Sequence, residues 1–207
     1  MVETVRQLGA VTRRVGERAL ESGRARTVVL GQRFPGSPAD VWAVLTDPAR
    51  LPCWFLPVTG ELRPGGRFEI EGNAAGVVEH CDPPRAFAVT WEARGQASRV
   101  EVRLAPDAGG TTRLELEHAL PDDEHWARYG PGAVGVGWEM ALLGLAVYLA
   151  GGRATTPRAR AAWAVSHEAR AFMAVGCERW REAAVAAGED EAAARAAADN
   201  TRAAYTG

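Results

Sequence analysis

GAVGVGWEMALLGLAVYLAG, residues 132–151, carries a single charge, Glu139, in twenty residues. A run that long and that apolar is sufficient to cross a bilayer, so the fold turns on whether it does so or is buried by its own chain. Trp138, Leu142, Leu145 and Leu149 recur at i, i+4, i+7 and i+11, one stripe of an α-helix. Gly135, Gly137 and Gly144 each cost about 1 kcal/mol relative to Ala in a helix interior, tolerable where a backbone must come close to a sheet. No basic cluster or aromatic belt flanks the run as an insertion signal would. The expectation is a core helix laid on a sheet. Met140, Leu143 and Val147 fall off the Trp138 stripe, so the back of this helix needs a cover as well.

The sheet precedes it. From residue 60 the pattern has period two: Phe68 and Ile70 alternate with Arg67, Glu69 and Glu71, and GNAAG supplies a turn. VVEHCDPP follows, then RAFAVTWEA with Phe87, Val89 and Trp91 inward. SRVEVRLAP points Val100, Val102 and Leu104 inward, and TTRLELEHAL points Leu114, Leu116, His118 and Leu120 inward. Five strands joined by tight turns predict an antiparallel meander with one dry and one charged face. Upstream, RTVVLGQRF (26–34) reads as a strand. In SPADVWAVLTDP, Ser37 caps a helix, Pro38 suits its first position and Asp40 its positive end; PARLPCWF predicts a short second helix. Residues 4–21 place Val5, Leu8, Val11 and Val15 at helical spacing, which predicts an amphipathic N-terminal helix.

Past residue 152, PRARAAWAVSHEARAFMAVGCERWREAAVAAG puts Trp163, Phe172, Val175, Trp180 and Val185 at roughly helical spacing and ends at Gly188. EDEAAARAAADNTRAAY is a second, alanine-rich helix. This hairpin is the expected cover for the back of the long helix, with a homodimer contact as the alternative. The chain thus divides into residues 1–25, an N-terminal helix; 26–152, the sheet and long helix; and 153–207, a helical extension.

Composition excludes several classes of function. The net charge is −2, and every basic residue is arginine, so no overall pull toward nucleic acid or anionic lipid exists. Cys53, Cys81 and Cys177 form no CxxC pair and no metal spacing, which favours reduced thiols in a cytoplasm. No metal or cofactor is expected, nor a signal peptide. The motifs of serine hydrolases, zinc proteases, P-loops and dinucleotide sites are all missing.

Polar residues near the dry face are the sharper candidates. His118 alternates with Leu114, Leu116 and Leu120 and should point inward. Glu139 is read first as a surface or capping charge near the helix start. Glu79 and His80 point to opposite faces, so only one can be inside. Residues 124–126, EHW, lie on the loop into the long helix and could form part of a cavity mouth, with His125 and Trp126 equally suited to anchoring that loop.

The residues DPARLPCWFLPVTGELRPGGRFEIEG, DPPRAFAVTWE, RVEVRLAP and GTTRLELEH, followed by GPGAVGVGWEMALLGLAVYLAG, resemble the SRPBCC (START-like) superfamily over residues 26–151. The similarity is to the branch homologous to the heat-shock-protein-90 ATPase activator's C-terminal domain. The resemblance implies an α+β helix-grip fold: a curved seven-stranded antiparallel sheet round a long C-terminal helix, with two short helices after the first strand. It also implies a cavity for lipids, sterols or polyketides between sheet and helix. With about 25 residues ahead of the fold, no counterpart of the activator's separate N-terminal domain is expected. The helical tail is of a kind found in actinobacterial relatives.

The expected function is binding of a small hydrophobic or amphipathic ligand. Trp54, Phe55, Phe68, Ile70, Val89, Trp91, Val102, Leu116, His118, Trp126, Trp138, Leu142 and Leu145 line the expected cavity. No catalytic residue, nucleic-acid contact or membrane insertion is expected. The alternatives are a polyketide cyclase or aromatase using His118 or Glu139 as acid–base groups, and a co-chaperone or other protein-interaction module.

Overall fold

The computed structural model describes residues 2–20, 23–93, 95–151 and 156–207. The side chains of residues 2, 3, 5 and 20 lie outside this set, so the expected inward position of Val5 falls outside it, as does the boundary expected at 152/153. In chain order the elements are α1 (Val2–Ala10), β1 (Thr12–Leu20), β2 (Gly23–Pro35), α2 (Pro38–Thr46), α3 (Leu51–Trp54), β3 (Val58–Gly60), β4 (Arg67–Ile70) and β5 (Ala74–Asp82). They continue with β6 (Ala86–Ala93), β7 (Gln96–Asp107), β8 (Thr111–Pro121), α4 (Glu124–Tyr129), α5 (Gly132–Leu149), α6 (Pro157–Ala164), α7 (His167–Ala186) and α8 (Glu191–Thr206). The fold is α+β, with an eight-stranded, curved antiparallel sheet in the order β1-β2-β8-β7-β6-β5-β4-β3.

Two compact units divide the chain. One comprises Gly31–Leu120 and Gly144–Ala154; the other Met1–Leu30, Pro121–Leu143 and Thr155–Gly207. β2 and α5 each contribute residues to both.

The Gly31–Leu120 unit holds the meander. Register continues the expected dry face across it: Val78 pairs with Val89, Val89 with Val100 and Val100 with His118, while Phe87, Val102 and Leu116 form the adjacent row. On the other face, Arg99 bridges Glu79 and Glu101, and Arg103 reaches Glu101 and Glu115. α2 begins with the expected Ser37 cap, which Asp40 makes reciprocal. Ser37 Oγ accepts from the Asp40 amide, and Asp40 Oδ2 accepts from the Ser37 amide at 3.0 Å. The expected turn at GNAAG is shorter, because Ala74 already pairs with Ile70.

The N-terminal segment departs from expectation. The helix ends at Ala10, and Thr12–Leu20 is an edge strand, so residues 11–20 of the expected helix are β-structure and the sheet has eight strands where seven were expected. The same residues satisfy period two: Val11, Arg13 and Val15 turn inward while Thr12 and Arg14 are exposed. Gly9 and Gly16 weaken a continuous helix, and β2 offers the backbone partners that decide the matter.

The tail is three helices, since the expected single helix over 157–188 breaks after Ala164. Ser166 caps a new start by accepting from the Ala169 amide at 3.1 Å. α7 then buries Ala169, Phe172, Met173, Gly176, Cys177, Trp180 and Ala184 on one stripe, and Val175, expected inward, is exposed. That stripe packs on the first half of α5. A Cβ on Gly135 would lie 2.2 Å from the Trp180 ring, and one on Gly176 3.3 Å from Val136. Tyr205 Oη of α8 donates to the Ala133 carbonyl at 3.0 Å, and Thr201 Oγ1 to the Tyr129 carbonyl at 2.7 Å.

α5 is long and apolar enough to cross a membrane by length and composition. None of its residues is exposed, and its glycine-bearing flank fits the indole of Trp180 rather than lipid. It is a core helix.

Candidate functional site

The inward face of the Gly31–Leu120 unit brings together most of the residues expected to line a cavity. Ile70, Val89, Val102 and Leu116 are buried there, and Phe68 and Trp91 are half-buried. α3 supplies Trp54, whose Nε1 donates to the Val44 carbonyl at 3.2 Å and whose ring lies 5.4 Å from that of Phe55, itself half-buried. Leu145, in the last part of α5, is buried in the same unit, and Gly144 lets the helix approach α3: a Cβ there would meet the Trp54 carbonyl oxygen at 2.4 Å.

His118 is a buried polar member of this face, 3% exposed on β8. Its Nε2 lies 2.9 Å from Ser98 Oγ, and that hydroxyl donates to the Trp91 carbonyl at 3.1 Å. A serine has one proton to give. Since Ser98 gives it to Trp91, its oxygen is left to accept from His118 Nε2–H. Burial pushes the imidazole down to about 4, which keeps the ring neutral. The face therefore presents a neutral, polarisable ring rather than a cation.

The sign of the resulting pH dependence follows. The unfolded imidazole takes up a proton below about pH 6.5, while the folded one stays neutral until about pH 4. Between these values the unfolded state binds more protons, so stability falls as pH drops through that window. Urea midpoints measured from pH 7 to pH 4 are expected to decline, and His118→Gln to flatten the slope. An unchanged slope in that variant would place the titration elsewhere.

Trp126, Trp138 and Leu142 belong to the other unit. Residues 124–126, expected on a loop, begin α4, capped by Asp123. Trp126 is buried with the Arg26 guanidinium 5.2 Å over its ring, and Arg26 also bonds Glu17 and Glu189. This fixes Trp126 as an anchor of that unit. Trp138 is half-buried and Leu142 buried on α5. His125 is exposed and lies against Tyr129, one helical turn on.

Two polar expectations are overturned. Glu139 is not a surface or capping charge: it is fully buried, with Oε1 and Oε2 accepting from Arg13 Nε and Nη2, each at 2.7 Å. Arg13 Nη1 also donates to the Val11 carbonyl at 2.9 Å, and the guanidinium reaches the Leu8 carbonyl at the end of α1. Nothing near residue 139 could reveal a partner 126 residues upstream. Glu79 and His80 were expected to place one side chain inside, yet both are exposed, because a β-bulge between Val78 and His80 shifts the register and breaks the alternation.

Among the described residues no group of His, Cys, Asp and Glu could hold a metal ion. The three cysteines are free. Cys177 lies in the Trp180 layer, where burial and the Glu139 charge push its thiol up to about 12.

The family model described as Activator of Hsp90 ATPase homolog 1-like protein matches residues 35–150. Among solved structures the chain is similar to CalU16 from Micromonospora echinospora. The crystal structure is 35% identical at TM-score 0.69, covering 84% of this chain and 98% of that one. The solution structure is 33% identical at TM-score 0.73, covering 86% and 97%. DynU16, a protein of the dynemicin biosynthetic locus, shares the fold at 22% identity and TM-score 0.54 over 62% of this chain and 48% of that one. No curated protein matches the chain.

Proposed function

Because this chain belongs to the Activator of Hsp90 ATPase homolog 1-like family, of the SRPBCC type, we propose that it binds a small apolar or amphipathic ligand on the inward face of its curved sheet and carries out no chemistry of its own. One observation carries the reading: an apolar face into which a single histidine is set, buried and neutral. Such a face recognises shape and apolar area, with few polar groups to orient the ligand.

Acid–base catalysis by His118 with Glu139 draws no support from the geometry. A carboxylate with both oxygens engaged by one guanidinium, itself buried, is committed to a structural ion pair. Three free thiols suit a reducing cytoplasm. The hairpin contacts along α5 favour a monomer over a homodimer built on that helix.

Thermal-shift screening and native mass spectrometry with fatty acids, sterols and aromatic compounds test the proposal. A ligand present at about 100 times its Kd stabilises by about 2.7 kcal/mol, a shift of several degrees for a chain of this size. A folded protein that shifts with none of these classes, and carries no adduct by native mass spectrometry, would end the binding reading.

A further inference from the structure

We propose that the corner between α6 and α7 lets this protein adsorb reversibly to the surface of an anionic bilayer. α6 has eight residues, and none of them is buried. Arg160 and Trp163 are its half-buried positions, and the Trp163 ring meets that of Phe172 on α7 at 63° with centroids 6.0 Å apart. Arg158, Ala161 and Ala162 of α6 and Val165 just beyond it stand at i, i+3, i+4 and i+7, and all four are exposed. A surface helix ordinarily turns charged and polar side chains to water; this stripe turns out alanine and valine. Among the described residues three large apolar side chains are exposed. Two of them, Val165 at 69% and Val175 at 43%, belong to this corner and to α7.

Charge points to the occupant. Residues 157–167 contain Arg158 and Arg160 and no Asp or Glu. Arg170, exposed on α7, joins the corner by donating from Nη2 to the Val165 carbonyl at 2.7 Å. Glu168, the acid in the first turn of α7, accepts from Thr4 Oγ1 at 3.1 Å. The chain as a whole carries −2, so this cationic corner is local and acts within about 8–10 Å, a Debye length, of a charged surface. A protein partner would look for pockets that take large anchoring side chains, and a helix surfaced with alanine presents none. A bilayer interface needs only an apolar stripe at headgroup depth with cations beside it, and the helix then lies on the membrane without spanning it. The corner lies outside residues 35–150, which the family model matches.

The test sediments the full chain with vesicles of phosphatidylcholine alone and of phosphatidylcholine with about one-third phosphatidylglycerol. Binding to the anionic vesicles is expected to be tighter by about tenfold or more, since each arginine near such a surface contributes about fivefold. Raising salt from about 50 mM to about 500 mM is expected to release the protein. Arg158→Glu is expected to weaken binding by about tenfold or more, and Val165→Ser by about fivefold. Both side chains are exposed, so both variants should keep the thermal midpoint of the unaltered chain. Polyglutamate stands in for an acidic protein; it is expected to bind more weakly and with no response to Val165→Ser. Equal binding to the two kinds of vesicle, binding to neither, or variants that bind as the unaltered chain does overturns the proposal. Polyglutamate bound as tightly as the anionic vesicles overturns it too, and makes the corner a dock for an acidic protein. All of these outcomes leave the ligand-binding reading untouched. Should Val165→Ser fail to fold, Ala161→Glu, at another exposed position of the stripe, takes its place.

Discussion

Replacing Glu139 by alanine is expected to destabilise the protein by about 3–5 kcal/mol, the cost of leaving a buried charge without its partner. Arg13 is 8% exposed and Glu139 not at all. Removing the carboxylate strands a guanidinium whose remaining partners are the Leu8 and Val11 carbonyls, neither of which neutralises it. The loss should appear as a lower urea midpoint with an unchanged slope. The double variant Arg13→Met, Glu139→Leu should recover most of the stability, because an apolar pair of similar volume avoids the desolvation cost that the ion pair offsets. A Glu139→Ala loss below about 1 kcal/mol would be the value of an exposed pair and would contradict the burial seen here.

The second large effect centres on Trp180, which is fully buried. Trp180→Ala is expected to cost about 3–5 kcal/mol through lost burial and a residual cavity. Its indole lies over Gly135, and the complementary variant is more telling. Helix propensity alone predicts that Gly135→Ala stabilises by about 1 kcal/mol. The Cβ, however, would stand 2.2 Å from the indole, and α5 cannot retreat without disturbing the hydrogen bond its Ala133 carbonyl accepts from Tyr205. Gly135→Ala is therefore expected to be destabilising. Gly137→Ala, one half-turn away, meets only the terminal oxygen of Tyr205 at 3.3 Å and is expected to be near neutral. Trp180 Nε1 is buried without a hydrogen-bond partner, so Trp180→Phe should cost less than its loss of volume suggests. Equal thermal midpoints for the two glycine variants would mean that the indole does not lie where it is placed.

The contrast between these glycines shows where sequence reading stops. Both sit in one apolar run, and both count equally against a helix. Only the path of α7, set by a cap at Ser166 and a stripe of small and large residues, separates the one that must stay bare from the one that need not. The meander was legible for the opposite reason. Strand alternation in β4 and in β6 to β8 is local, each side chain's face being set by its neighbours two residues away, and it fails only where the bulge in β5 shifts the register. His118 was therefore placed inward correctly, with the leucines that flank it, as were Phe68 and Trp91.

Local chemistry by itself determined the cap of α2, the alternation of β4 and of β6 to β8, and the helical stripe of α5, the last two carrying the family resemblance. Tertiary structure decided the rest: that Thr12–Leu20 extends the sheet instead of α1, that Glu139 is half of a buried ion pair, and that the Trp180 ring lies over Gly135. Each of those outcomes is set by a partner far along the chain. A backbone of mixed propensity takes whichever hydrogen bonds its neighbour offers, and a charge or a ring acquires its role only from what the fold brings against it.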